Sequence, residues 1–199
     1  MIDPSNNRVI IVGNGASLLG SGLGPAIDAH EIVVRFNRFE TRDFVPDVGR
    51  KTTIWFCNRD VNHSSLLRVL HDESYSEIYA HTWGDEKAAA ATFRKALKNM
   101  GKIAPVFEVS KQTYVEMRQF GETDYRFFST GAIAIWLMIQ RFGSVTLVGF
   151  DWWNKPERIH YFNDGQLPPD PKTGHRPGEE KRFFDRLERL GRLSYLKVP

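Results

Sequence analysis

The segment Val12–Asn37, VGNGASLLGSGLGPAIDAHEIVVRFN, constrains the chain most. It begins where the apolar run Arg8–Val12 (RVIIV) meets a glycine, the pattern of a buried strand. Gly13, Gly15, Gly20, Gly22 and Gly24 follow, and glycines let a backbone approach a ligand closely. A loose helical stretch then leads into a second apolar run, Glu31–Phe36 (EIVVRF). Strand, glycine-rich turn, short helix and second strand form the layout of a nucleotide pocket at the carboxyl edge of a parallel sheet. Asn14 and Asn37 stand where the two strands end. An asparagine side chain donates and accepts hydrogen bonds without adding charge, which suits a ribose or a phosphate monoester.

The same alternation continues along the chain. Thr52–Cys57 (TTIWFC), Glu77–Ala80, Ala104–Val109 and Val145–Phe150 (VTLVGF) read as strands. Ser64–Leu70, Asp85–Asn99, Lys111–Phe120 and the apolar Thr130–Arg141 (TGAIAIWLMIQR) read as helices, the last stopped by Gly143. From Trp152 to Gly174 the pattern breaks, because Pro156, Pro168, Pro169 and Pro171 forbid a regular element. A loop of that length in a compact domain is commonly a lid or a binding loop, here about Trp153–Gly174. Pro177 starts a helix with Glu179 and Glu180 in its first turn and Phe183, Phe184, Leu187 and Leu190 on its apolar face. Leu193–Val198 reads as a final strand. Strands alternating with helices imply an α/β fold: a Rossmann-like α/β/α sandwich around a mostly parallel sheet. At 199 residues, 41% of them hydrophobic and 26% charged, the chain is expected to form a single domain, residues 1–199.

The net charge of +3 permits attraction to anionic substrates but gives no reason to expect a nucleic acid as partner, since no arginine-rich tract or aromatic platform accompanies it. No apolar run is long enough to span a bilayer, and MIDPSNNR is not the start of a signal peptide. The lone cysteine, Cys57, lies inside a strand and reads as a core thiol in a reducing, cytoplasmic compartment. No Cys/His cluster has zinc spacing, so no metal and no cofactor is expected.

Several residues are suited to chemistry. The next glycine after Gly13-Asn14-Gly15 is Gly20, so the dinucleotide spacing G-x-G-x-x-G fails, and Arg35 and Asn37 rather than an acid end the second strand. That argues against a nicotinamide enzyme. Ser129-Thr130-Gly131 opens the buried helix, where free N–H groups and a partial positive charge bind anions or base edges. The ordinary alternative is that Ser129 is only an N-cap. His160 and His175 bracket the proline-rich loop. His175 stands just before a helix start, where the dipole disfavours an imidazolium and leaves a neutral ring able to accept a proton. His160, followed by Tyr161, could donate to a departing phosphate. No D-x-D occurs. A nucleoside monophosphate leaving group needs less neutralisation than a diphosphate, and histidine, tyrosine, asparagine and helix N–H groups can supply it.

On these residues the chain resembles the sialyltransferases of glycosyltransferase family 29. Val12–Asn37, continuing through Asp47-Val48-Gly49 and Lys51-Thr52-Thr53, looks like their large sialylmotif. Ser129–Phe150, with Phe128 before it, looks like the small sialylmotif, His160-Tyr161 like the third motif, and His175 with Glu180 like the very small motif H-x-x-x-x-E. The motifs stand in the family's order over roughly residues 8–180. The resemblance implies a GT-A-like sialyltransferase fold and an inverting transfer from a CMP-sugar donor without a metal. It implies that Asn14, with Gly15, and Asn37 contact the ribose and phosphate, and that Ser129, Thr130 and Gly131 hold the cytidine. His160 and Tyr161 would bind the donor phosphate and help it leave. His175 would be the general base, and Glu180 would either orient a histidine or cap its helix. The partners implied are a CMP-sugar donor and a glycan or glycolipid acceptor.

The chain departs from Golgi members of that family: Val9 and Phe142 occupy the positions of their disulfide cysteines. The expectation that follows is a bacterial or otherwise cytosolic relative. CMP-Kdo is chemically close to CMP-sialic acid, so either 2-keto sugar acid fits as donor. The alternatives are a transferase using another nucleotide sugar and a nucleotide-binding or scaffold module that has lost catalysis. Lys181, Arg182, Arg186, Arg189 and Arg192 surround the apolar face of the C-terminal helix. A solvated core helix is the favoured explanation, and peripheral contact with an acidic membrane the sharper one.

Overall fold

In the computed structural model, residues 8–58, 74–82, 90–151, 159–162 and 176–197 are described. Their elements are β1 (Val9–Val12), α1 (Gly24–Asp28), β2 (Ile32–Phe36), α2 (Val45–Val48), β3 (Ile54–Asn58), β4 (Glu77–His81) and α3 (Ala90–Met100). There follow β5 (Val106–Glu108), α4 (Lys111–Gly121), α5 (Thr130–Phe142), β6 (Val145–Val148), α6 (Pro177–Arg189) and β7 (Leu193–Tyr195). The predicted helix Ser64–Leu70, His175 and the predicted loop Trp153–Gly174 apart from its residues 159–162 lie outside the described residues.

The strands form one seven-stranded sheet in the order β5-β4-β3-β2-β1-β6-β7, with every pairing parallel. The central strand shows why. Val9 and Ile11 of β1 enter the core on the α5 face, while Ile10 and Val12 pack on the opposite face with Leu23, Ile27 and Val48. A strand covered on both faces has no solvent side, so its sequence is a continuous apolar run. α5 fills one face: Ile133, Ile135 and Met138 are fully buried, each contributing about 1.5–3 kcal/mol of transfer free energy.

Strand boundaries shift where local chemistry overrides the apolar pattern. Ala104 was expected to open a strand, but its N–H closes the α3 helix on Met100 O, and Pro105 has no N–H for a ladder, so β5 begins at Val106. β6 stops at Val148 because Gly149 turns the chain with φ +71°. β3 runs through Asn58, pairing it with His81 at the end of β4.

In α6, Phe183, Phe184 and Leu187 are buried as expected, whereas Leu190 caps the helix and is 56% exposed. The basic residues of this helix are engaged nearby: Lys181 with Asp185, Arg182 with Glu179, Arg186 with Glu122 and Phe120 O, and Arg189 with Asp185 O. Arg192, just beyond it, donates to Gly143 O. These contacts fit a solvated helix. Cys57 is fully buried, and burial pushes its thiol pKa up, as a core thiol requires. Among the described residues no helix is long and apolar enough to cross a membrane.

Candidate active site at the carboxyl edge of the sheet

The strand order reverses between β1 and β6, and ligands of open α/β sheets bind outside the strand ends at such a point. Here the turns after β1 and β6 are pressed together. Gly13 N donates to Val148 O and Gly15 N to Gly149 O, both at 2.8 Å. A Cβ on Gly13 would stand 2.2 Å from Gly149 O, and one on Gly15 2.6 Å from both Gly149 O and the Asp151 carboxyl carbon. These glycines are therefore required by backbone packing between the two turns, whatever ligand they meet. Asp151 closes the arrangement by accepting from Ser17 N at 2.8 Å and from the Ser17 hydroxyl.

His160 reaches the same turn through an antiparallel bridge to Gly15, and Tyr161 N donates to Asn14 O at 2.9 Å. The expected large-motif and third-motif residues are thus brought together. Tyr161 differs from the expectation of a phosphate contact. Its side chain is fully buried, and its hydroxyl donates to Glu40 O at 2.8 Å and accepts from Glu40 N at 3.0 Å. The phenol is a strut between the 159–162 segment and the link from β2 to α2.

Asn37 is the outlier of the site. It takes φ +51°, a left-handed conformation that asparagine tolerates better than most residues. Its backbone is held on both sides, with its N–H on Phe56 O and its C=O accepting from Trp55 Nε1 at 2.9 Å. Its side-chain Oδ1 is buried with no hydrogen-bond partner. An unsatisfied buried acceptor costs about 1–3 kcal/mol. Asn14 Nδ2 donates to Arg38 O at 3.0 Å, so that side chain also braces the loop. Arg38 itself places its guanidinium 5.2 Å from the centre of the Phe162 ring, and its Nε is buried without a hydrogen-bond partner. The His160 ring lies 5.1 Å from the same phenylalanine. The edge therefore carries a guanidinium and an imidazole on one phenylalanine ring, and an unsatisfied acceptor at Asn37.

The second half of the site is the start of α5. Ser129 is the N-cap, accepting from Ala132 N at 3.1 Å. Its own N–H and O–H donate to the two oxygens of Glu180, at 2.5 and 2.7 Å. Glu180 is 2% exposed, and burial raises its carboxyl to about 7 against the opposing pull of the Ser129 hydrogen bonds. Glu180 thus ties the first turn of α6 to the cap of α5. With Ala132 N on Ser129 Oγ and Ile133 N on Ser129 O, the N–H groups of Thr130 and Gly131 remain without a hydrogen-bond partner among the described residues. A Cβ on Gly131 would meet Phe36 Cζ at 3.0 Å and Phe150 Cε1 at 3.3 Å. Those two rings, 5.9 Å apart, join the α5 start to the β2 and β6 ends, and so the two halves of the site.

His175 lies outside the described residues, but its neighbour Arg176 is fixed: its N–H donates to the Tyr125 hydroxyl at 3.3 Å, which donates in turn to Phe127 O at 2.6 Å. The backbone entering α6 is thereby pinned to the segment that leads into Ser129. Arg38 and His81 were missed from the sequence. His81 ends β4, is 1% exposed and places Nε2 2.9 Å from Thr130 Oγ1. The available signal was position: a polar residue terminating an apolar strand faces the carboxyl edge. Among the described residues no group of three or more His, Cys, Asp or Glu side chains could hold a metal ion.

Comparison with known proteins bears on this site. The sequence profile of glycosyltransferase family 29 (sialyltransferase) matches residues 3–192. The human CMP-N-acetylneuraminate-beta-galactosamide-alpha-2,3-sialyltransferase 4 is 27% identical over 216 residues, covering 95% of this chain and 64% of its own. Sialyltransferase-like protein 2 of Oryza sativa subsp. indica is 49% identical over 58 residues, covering 29% of this chain and 15% of its own. A beta-1,6-galactosyltransferase of Arabidopsis thaliana is 39% identical over 75 residues, covering 38% of this chain and 17% of its own. The chain thus spans just under two thirds of the human relative. Relatives from mammals and plants lend no support to the expectation of a bacterial source.

Among solved structures, a mammalian sialyltransferase in complex with Gal-beta-1-3GalNAc-ortho-nitrophenol aligns with a TM-score of 0.71 at 20% identity, over 100% of this chain and 75% of that one. The sialyltransferase CstII from Campylobacter jejuni, in complex with cytidine-5'-monophosphate, aligns with a TM-score of 0.65 at 17% identity, over 96% of this chain and 79% of that one. At such identities the likeness establishes the fold, which is the GT-A-like sialyltransferase fold.

Proposed function

Because the chain belongs to glycosyltransferase family 29, the sialyltransferases, we propose that it transfers a 2-keto sugar acid from its CMP-activated form to a glycan or glycolipid hydroxyl, with inversion and without a metal. CMP-sialic acid is the first choice of donor and CMP-Kdo the second. The observation that carries this is an unsatisfied Asn37 Oδ1 next to Phe36, whose ring meets the Gly131 position, together with N–H groups of Thr130 and Gly131 that have no hydrogen-bond partner among the described residues. A nucleoside monophosphate answers both: a ribose hydroxyl donates to Asn37, and anionic or base-edge acceptors take the helix N–H groups. The CstII complex with cytidine-5'-monophosphate supports that choice of nucleotide, and the complex of the mammalian neighbour supports a glycan acceptor.

In the proposed reaction the bond between the anomeric carbon and the phosphate oxygen breaks as the acceptor oxygen closes on the opposite face. The transition state is oxocarbenium-like, so the acceptor proton leaves late, and His175 takes it as general base, an effect of about 10²–10⁴-fold. His160 gives a proton to the departing phosphate. Asn14 and Tyr161 act by holding the loops that carry Asn37 and His160. Gly15 and Gly131 admit the close packing on which both halves depend, and Ser129 with Glu180 fixes the helix start. Holding donor and acceptor in line contributes more than proton transfer does.

The test is calorimetric titration with CMP, CMP-sialic acid and CMP-Kdo, together with donor hydrolysis with and without EDTA. Micromolar-range binding of CMP and EDTA-insensitive hydrolysis of one donor are expected. No CMP binding would overturn the proposal. A second reading rests on the Arabidopsis relative, whose name assigns it a galactosyl transfer. Binding of UDP-galactose in place of any CMP-sugar would select it.

A further inference from the structure

We propose that His81 is a positioning residue for the donor site: its Nε2 holds the Thr130 hydroxyl and so keeps the Thr130 and Gly131 N–H groups aimed along the carboxyl edge of the sheet. The inference rests on the donor site proposed above and adds to it a residue from an element that none of the recognised motifs contains.

The geometry is specific. His81 is the last residue of β4, opposite Asn58 in register, and its ring is enclosed. The contact to Thr130 Oγ1 at 2.9 Å spans 49 positions of sequence. Packing alone does not ask for an imidazole here. An apolar side chain of similar volume would fill the place without the cost of desolvating two ring nitrogens. The hydrogen bond to Thr130 is one that a histidine supplies and a leucine would not.

Thr130 is also where such a contact has most effect. It is the first residue of α5 and follows the N-cap that Glu180 holds from α6. Neighbouring residues are thus gripped from two elements, Ser129 by α6 and Thr130 by β4. Among the described residues, the N–H groups left over are those of Thr130 and Gly131. Burial lowers the His81 pKa to about 3, so the ring is neutral at physiological pH. A neutral ring beside a helix N-terminus avoids repulsion from the dipole and does not itself attract an anion. His81 therefore brings no charge to the site, and its contact with Thr130 gives it an orienting role.

The experiment compares CMP affinity by calorimetry, with Tm as a stability control, for wild type, H81L, H81Q, H81N, T130V and the double variant H81L/T130V. A glutamine amide reaches the Nε2 position, and an asparagine falls short of Thr130 Oγ1. H81L and T130V are each expected to weaken CMP about three- to tenfold, the value of one neutral hydrogen bond. H81Q should stay within about twofold of wild type, and H81L/T130V should be no weaker than either single variant. Additive losses, an H81L affinity equal to wild type, or weakening by H81L with T130V unchanged would overturn the inference while leaving the donor site standing. If H81L does not fold, equal CMP affinities for H81Q and H81N overturn it. Failure of the wild type to bind CMP is the separate outcome that removes the donor site itself, and the inference with it.

Discussion

Replacing Glu180 by glutamine should make the protein more stable at alkaline pH, although it removes a buried hydrogen-bonded carboxylate. Burial raises the folded-state pKa from 4.5 to about 7. A carboxyl whose folded pKa is raised binds protons more tightly when folded, so its contribution is fully present below pH 4.5. It is lost as pH climbs through about 7. At about 1.4 kcal/mol per pH unit, that span corresponds to about 3 kcal/mol. Glutamine keeps an oxygen to accept from Ser129 and never ionises. His81 works in the opposite direction: its folded pKa is lowered from 6.5 to about 3, so its contribution is present above 6.5 and is lost as pH falls. The two windows overlap, and the wild-type profile alone conflates them. The difference between wild type and E180Q isolates the carboxyl. Urea unfolding of both proteins at pH 5, 6, 7 and 8 measures it. E180Q should be close to wild type at pH 5 and more stable by about 2–3 kcal/mol at pH 8. Parallel stability curves over that range would refute the argument that burial dominates at Glu180.

Other changes test separate parts of the site. N37G relieves the φ +51° backbone while removing the side chain, so it should hold or raise Tm and still weaken CMP about tenfold, for the cost of one hydrogen-bonded group; unchanged affinity by calorimetry would count against the ribose contact. H175A should abolish transfer and leave CMP affinity within about twofold, since a general base acts on the acceptor; near-normal turnover would sink that role. Y161F leaves Glu40 N and O without their phenol partner and should cost about 1–3 kcal/mol in urea unfolding. A loss of CMP affinity with unchanged stability would instead restore the phosphate contact first expected for Tyr161. Because the basic residues of α6 are engaged in local contacts, the protein should not float with anionic liposomes; salt-sensitive flotation would favour membrane contact.

Much of the architecture was legible in local pattern. A buried parallel strand must be apolar on both faces, so RVIIV, EIVVRF and VTLVGF announced themselves without any partner in view. The helix starts at Thr130, behind its Ser129 cap, and at Pro177 were readable because capping depends on residues within one turn. The errors arose where one atom outweighed periodicity: the missing N–H of Pro105 shortened a strand, and the turn at Gly149 ended another.

The sequence by itself determined that the chain would be an α/β fold with a polar, glycine-rich edge, because these follow from side-chain period and backbone freedom. It also marked Asn37, His160 and the start of α5 as the places to look. Only the tertiary structure decided what those residues do for one another. The strand order put the turns after β1 and β6 in contact, and that contact gives Gly13 and Gly15 a packing reason to be glycine. It committed the Tyr161 hydroxyl to Glu40, a pairing 121 positions apart, and the Glu180 carboxylate to Ser129, 51 positions away. It found His81, which no motif contains, and the place of Arg38 over the Phe162 ring. Hydrogen bonds of that range depend on the crossing of elements in space. Composition and spacing carry no record of that crossing, and only the folded sheet brings the partners within reach.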